Sequence, residues 1–337
     1  MKTITLRINL NELAVKGNEL IIKVDNTDNE PTKTYVSDRV TMFVFMENII
    51  NDLNRQNRQR TMETYRCTLN SFKRYRNNKD IPLSDIDSKL MESYQDSLKS
   101  NGIAMNTISF YMRILRAVYN KAVRQELVAD MKPFREVYTS IAKTVKRAIS
   151  IDNVRRLKNY KPENKDEAFA IDMFFFSFYT RGMSMVDMAS LKKTDLTDNV
   201  LTYTRKKTGQ RMYIRWNGHI QDIIDRNPSP TDKYLLPIIV RLNGKERNQF
   251  RYRQGCINNT LKRISEKLNM TQSLTMYVAR HSWASIARNM NIPLSVISRG
   301  MGHDSETTTK IYLKEFDSDS INRANMQIIN ALEIKDD

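Results

Sequence analysis

Over residues 167–179 the chain reads EAFAIDMFFFSFY, an apolar run too even to leave one face to water. A helix that is apolar all round belongs inside a domain, so the rest of the chain must supply elements to surround it. The run leads straight into Thr180-Arg181-Gly182. Charge at the exit of a buried helix needs a partner. Either Arg181 caps carbonyls or pairs with a buried acid such as Asp187, or it is a fixed cation lining a site.

At 337 residues the chain exceeds one small core, and two domains are expected. Residues 1–37 contain TITLRINL and LIIKV, which alternate like short strands, and read as an N-terminal arm or small β appendage. Helical periodicity takes over at Ser37, with Ser37 and Asp38 as caps, and four amphipathic helices fill residues 38–132. The clearest is 106–126, where Ile108, Tyr111, Met112, Leu115, Tyr119 and Ala122 share one face and Arg113 and Arg116 another. Arg66 and Arg74 lie on an earlier helix, interleaved with Tyr65, Phe72 and Tyr75. Residues 133–149 form a basic linker with Lys143, Lys146 and Arg147, and residues 150–337 form a second domain.

The charge narrows the partners. Lys and Arg number 55 against 38 Asp and Glu, a net charge of +17, and a surface this basic calls for a polyanion, nucleic acid first. Cys67 and Cys256 lie far apart with no CxxC spacing, so neither a disulfide framework nor a zinc knuckle is expected and a reducing cytoplasm fits. No apolar run reaches the roughly 18 residues of a membrane span, and the N-terminus has no signal-peptide core.

Residues 195–216 alternate as strands (VLTYTRK, RMYIRW), with a turn at Asp198-Asn199 and a hairpin through KTGQ that places Lys206 and Lys207 at an exposed, mobile turn. Taken alone, such a lysine is a solvated side chain. Beyond them come a helix at HIQDIIDR, an apolar segment YLLPIIV, a polar stretch with Arg247, Arg251 and Arg253, and an amphipathic helix over 256–270.

Residues 274–313 gather Arg280-His281, Gly302-His303 and Tyr312, and hold two of the three histidines of the protein. His303 follows Arg280 by 23 residues and Tyr312 follows His303 by 9. A cation, an imidazole and a phenol suit the handling of a phosphate and a nucleophile. The segment ASIARNMNIPLSVISRGMGH also reads as helix, tight turn and helix, so a DNA-reading helix-turn-helix competes. That reading leaves Arg280-His281, Tyr312 and Arg181 without a purpose.

ARHSWAS, GMGH and IYL together resemble the C-terminal signature of the tyrosine recombinases, the phage-integrase family. The arginine in FYTRGMSMVDMASL, the KTG hairpin and NTISFYMRILRAVYNKAV in a preceding helical domain follow the same layout. The resemblance covers residues 40–330, and its wording is closest to the subfamily carried on mobile elements of Bacteroidetes. It implies a mainly α fold with a small antiparallel sheet: a helical, SAM-like core-binding domain and a catalytic domain that together clamp duplex DNA in a C shape. It places the catalytic arginines at Arg181 and Arg280, the hairpin lysine at Lys207 with Lys206 as the fallback, the last histidine at His303 and the nucleophile at Tyr312. At the usual HxxR histidine stands Tyr277, and the acid usually three residues past the first arginine lies six on, at Asp187. Arg66, Arg74, Arg113, Arg116, Lys143, Lys146 and Arg147 would contact the DNA backbone.

The implied activity is site-specific recombination through a 3′-phosphotyrosyl intermediate, with no metal, ATP or other cofactor. Two guanidiniums stabilise charge on the non-bridging oxygens, and a lysine protonates the leaving 5′-oxygen. The implied partners are double-stranded DNA and further copies of the chain, monomeric or dimeric when free and tetrameric on two sites, with an accessory DNA-bending protein and a place at the bacterial nucleoid. SINRANMQIINALEI after Tyr312 would be a helix docking on a neighbouring protomer. A type IB topoisomerase-like enzyme and a non-catalytic helix-turn-helix regulator are the rival readings.

Overall fold

The computed structural model describes residues 40–142 and 147–310, which fall into two units that divide between them. The predicted caps Ser37 and Asp38 therefore lie outside the described residues, as do the N-terminal arm, Lys143, Lys146, Tyr312 and the final helix.

The first unit is built from α1 (Met42–Arg55), α2 (Gln59–Tyr75), α3 (Ser88–Ser100) and α4 (Met105–Arg124). The six apolar residues read from the period of α4 are all buried. They meet Phe72 of α2, Tyr94 of α3 and Met46 of α1 in one core. Asp80, distant in sequence, serves the start of α1: its carboxylate accepts from Thr41 Oγ1 at 2.6 Å and from Phe43 N at 2.9 Å. That satisfies donors the helix itself leaves open. Phe134 and Val137 are buried in the same core. Tyr138 N donates to Gln95 Oε1 at 2.6 Å and Ala142 N to Asn106 Oδ1 at 2.8 Å. Residues 134–142 thus fold with the helices where the charge pattern reads as the start of a linker. Two apolar side chains and two amide acceptors suffice to hold the segment.

The second unit surrounds α6 (Lys165–Tyr179), whose N-cap Asn164 accepts from Glu167 N. Its flanks are α5 (Ile151–Lys158), α8 (Gly218–Arg226), α9 (Glu246–Lys267) and α10 (Met276–Asn289), with α7 (Met185–Met188) after its exit. The two buried acids of this helix, Glu167 and Asp172, are paired. Glu167 accepts from Lys267 Nζ at 2.8 Å and Tyr160 OH at 2.9 Å, and Asp172 accepts from Arg226 Nη2 at 2.6 Å and Asn227 Nδ2 at 2.7 Å. These bonds tie α9 and the end of α8 to the central helix, which explains how it tolerates two carboxylates. α9 begins ten residues before the amphipathic stretch read at 256, because its first turns carry Arg247, Arg251 and Arg253 without an apolar stripe. YLLPIIV is buried without becoming a strand.

The sheet is antiparallel in the order β1 (Leu196–Thr197), β2 (Val200–Thr204), β3 (Arg211–Arg215). Asp198 and Asn199 both have positive φ, 51° and 59°, as a two-residue hairpin with right-handed twist requires. Leu201 faces Ile214 and Tyr203 faces Met212, with all four side chains buried. Arg211, Tyr213 and Arg215 stay on the outer face. α11 (Leu294–Gly300) follows Pro293, and α12 (Glu306–Lys310) closes the described chain. Among the described residues, no helix is long and apolar enough to cross a membrane.

Candidate active site

The buried helix α6 ends in a left-handed turn. Arg181 and Gly182 have φ of +62° and +73°, and Gly182 N donates to Ser177 O at 2.7 Å. Left-handed backbone costs a side-chain-bearing residue about 1–2 kcal/mol, so the packing around it must hold Arg181 in place. The half-exposed guanidinium of Arg181 makes no hydrogen bond or ion pair among the described residues. It does not pair with Asp187, whose buried carboxylate accepts instead from Lys206 N at 2.8 Å and Ser184 Oγ at 2.6 Å. The buried acid is therefore not its partner.

Gly182 lies against the next cation. A Cβ there would sit 2.8 Å from both Cα and Cγ of Arg280. Arg280 is 5% exposed, and three acceptors orient its guanidinium. Nη1 donates to Gly182 O at 2.6 Å, and Nη2 to Met301 O at 2.7 Å and to His303 Nε2 at 2.9 Å. The turn that ends α6 and the turn that ends α11 therefore aim one side chain between them.

His303 is 7% exposed, and its other nitrogen, Nδ1, lies 2.7 Å from Thr309 Oγ1. Burial first, then the positive charges of Arg280, Arg205 and Lys207, push its imidazole down to about 3. The ring is neutral at pH 7. Because the unfolded value is about 6.5, acid favours the unfolded chain. This contribution to stability is complete above about 6.5 and is lost as pH falls from there toward 3. Thermal midpoints measured from pH 7.5 to 4 should fall more steeply in wild type than in His303→Gln. Parallel curves would show that His303 is not the titrating group.

The lysine hairpin is docked onto the same turn. Arg205, the last residue before the lysines, is buried and donates from Nη1 to Gly302 O. Thr208 Oγ1 reaches the same carbonyl at 3.3 Å, and Gln210 Nε2 reaches His303 O at 3.4 Å. Gly302, with φ +65°, has Met212 Sδ 2.8 Å and Arg205 Cδ 3.1 Å from where a Cβ would be, so only glycine fits. Lys206 and Lys207 are exposed at the tip as expected, but the base of the hairpin is pinned. Beneath it, burial pushes the Tyr203 phenol up to about 12, and the charges of Asp187, Arg280, Arg205 and Arg181 all reach that ring.

The structure thus brings Arg280, His303 and the Lys207 hairpin together, with Arg181 at the neighbouring turn. Tyr277 stands apart in character: it is 48% exposed, and its ring meets His281 edge-on, with centroids 4.3 Å apart. His281 is buried. Sequence reading passed over Arg205 and Thr309. The alternation of β2 puts Arg205 on the buried face with Leu201 and Tyr203, but its charge masks that signal, and the run of three threonines carries no mark of burial. A cleft of about 570 Å³ opens beside His303, lined by Arg211, Arg299, Ser298 and Gln210 among others.

In the first unit, Arg66, Arg74 and Arg113 are exposed on α2 and α4, and Arg116 is half-buried, 3.5 Å from Thr139 Oγ1. Tyr111 of α4 meets Cys67 of α2 across the seam, at 3.7 Å. Arg147 is exposed in the second unit.

Two family models match the chain: a phage integrase SAM-like domain over residues 41–140 and the phage integrase family over residues 147–319. Tyrosine recombinase XerD of Staphylococcus haemolyticus is 19% identical over 263 residues, covering 75% of this chain and 87% of that protein. The integrase of Staphylococcus phage L54a is 39% identical over 121 residues, 32% of each chain. A Tn1549 transposon integrase in complex with a circular intermediate DNA shares the fold at a TM-score of 0.63 and 16% identity, over 85% of this chain and 99% of that one. A lambda integrase tetramer bound to a Holliday junction does so at 0.61 and 16%, over 84% and 81%.

Proposed function

The chain belongs to the phage integrase family, the DNA-strand-transferring tyrosine recombinases, and on that premise we propose the roles of its residues in site-specific recombination. Arg181 and Arg280 hold the non-bridging oxygens of the scissile phosphate, where negative charge grows as the phosphorus is attacked. Tyr312 Oη forms the new bond to phosphorus while the bond to the 5′-oxygen breaks. Lys207 passes a proton to that oxygen, and the phosphate remains on the tyrosine as a 3′-phosphotyrosyl ester. Attack by the 5′-hydroxyl of another strand reverses the step, returns the proton and completes the exchange. No hydrolysis intervenes, so the phosphodiester bond energy is kept.

The observation that carries this reading is the convergence of Arg280, His303 and the lysine hairpin on the turn at Gly302, beside Arg181, whose guanidinium makes no hydrogen bond or ion pair among the described residues. Permanent cations around a neutral imidazole form a site for a phosphate, and the basic composition supplies the longer-range attraction. Arg66, Arg74, Arg113, Arg116, Lys143, Lys146 and Arg147 contact DNA phosphates. In this reading a helical unit that runs on through residue 142 binds the duplex, a short basic linker follows it, and a catalytic unit from residue 150 onward carries the chemistry. Four copies act on two duplex sites, as in the lambda integrase tetramer on a Holliday junction, and the work is done in the compartment that holds the DNA.

A duplex nicked near the cleavage point tests the assignment, because the severed fragment diffuses away and traps the covalent adduct. Wild type should form the adduct and Tyr312→Phe none. Lys207→Ala should be slow on the ordinary substrate and recover when the bridging 5′-oxygen is replaced by sulfur, since a thiolate leaves without a proton. An adduct with Tyr312→Phe removes Tyr312 from the reaction. Recovery of Lys206→Ala instead of Lys207→Ala moves the acid by one residue.

A further inference from the structure

The hydroxyl of Thr309 has no part in the roles assigned above, yet it is buried against the imidazole at the centre of the site. An arginine guanidinium stays protonated and only donates. With Arg280 Nη2 at 2.9 Å, His303 Nε2 must offer its lone pair, because a proton there would set two donors against each other. The single ring proton then belongs on Nδ1, where Thr309 Oγ1 stands at 2.7 Å to receive it. Each nitrogen of the ring thus has a partner that fits one tautomer and opposes the other.

We propose that Thr309 is a positioning residue, which fixes the Nδ1–H tautomer of His303 and through it the guanidinium of Arg280. The proposal rests on the reading of Arg280 as a phosphate clamp for its effect on rate, but not for its effect on the tautomer. Without the hydroxyl, Nδ1–H loses the acceptor at 2.7 Å that favours it, and the balance tips toward a proton on Nε2. That proton faces Arg280. The guanidinium must then turn away from Nε2, which strains its bonds to Gly182 O and Met301 O. Outer partners of this kind typically change the output of a site about 10–100-fold when lost. A residue that acts only by filling space would do none of this.

Nitrogen-15 NMR of the imidazole rings provides the test, and three histidines keep the spectrum simple. In the DNA-free wild-type protein, His303, assigned through the loss of its signals in His303→Gln, should show a protonated Nδ1 and a bare Nε2. Thr309→Val should shift the proton to Nε2 and slow single-turnover cleavage about 10–100-fold with duplex affinity unchanged, and Thr309→Ser should keep the wild-type tautomer and rate. An Nε2–H tautomer in wild type would overturn the proposal whether or not either variant folds. So would wild-type cleavage by Thr309→Val, or a Thr309→Ser as impaired as the valine variant. If the tautomer is as expected but Tyr312→Phe still forms the adduct, the catalytic assignment fails and the role of Thr309 toward His303 stands.

Discussion

Gly182→Ala should abolish strand cleavage and destabilise the second unit by about 2–5 kcal/mol. Two costs combine. A non-glycine residue at φ +73° costs about 1–2 kcal/mol, and a Cβ 2.8 Å from Arg280 Cα meets backbone that cannot swing aside, at an overpacking cost of about 1–3 kcal/mol. Relief comes only by separating the α6 exit from α10. That breaks the bond from Arg280 Nη1 to Gly182 O and moves Arg181 away from Arg280. Denaturant midpoints and adduct formation measure the two effects on one protein. A variant with wild-type stability and wild-type cleavage would mean that the close approach of the two turns is not needed. Loss of cleavage with full stability would place the damage at the site alone.

Arg280→Ala should lose about 10³–10⁵-fold in single-turnover cleavage, the range seen when an arginine that stabilises a phosphoryl transition state is removed. Duplex affinity should change little, because one buried guanidinium contributes little to a surface of net charge +17. Arg280→Lys should fall nearly as far. An ammonium cannot address Gly182 O, Met301 O and His303 Nε2 from one planar group, and it cannot hold two phosphate oxygens in parallel. Both variants leave carbonyls without their donor, so cleavage is best measured well below the thermal midpoint. Equal loss of binding and cleavage would make Arg280 a binding residue, and a lysine variant that retains activity would reduce its role to charge alone.

The sequence is informative where residue type and spacing carry the signal. The period of α4 predicts its buried face, and the unbroken apolar run of α6 predicts a central helix. The Asp198-Asn199 turn is legible because two consecutive left-handed residues favour those side chains. The arginine, histidine and lysine motifs lead to residues that meet. Contacts between distant parts of the chain are harder to read. Asp80 accepts from Phe43 N, 37 residues earlier, and Arg205, on the inward face of its strand, finds its acceptor only at Gly302 O, 97 residues on. Thr309 differs from Thr307 and Thr308 only in which way it faces. The left-handed conformation of Arg181 has no signal of its own, since only the glycine beside it hints at an unusual turn. Tyr312, the proposed nucleophile, lies outside the described residues, and only its distance along the chain from His303 points to it.

The hairpin carrying Lys207 is fastened through Arg205, Thr208 and Gln210 to the carbonyls of Gly302 and His303, while His303 is fastened to Arg280. The lysine hairpin and Arg280 therefore share one foundation. Any movement that lifts the hairpin off that turn also disturbs the histidine, and with it the arginine. On the roles proposed above, the two are armed or disarmed together.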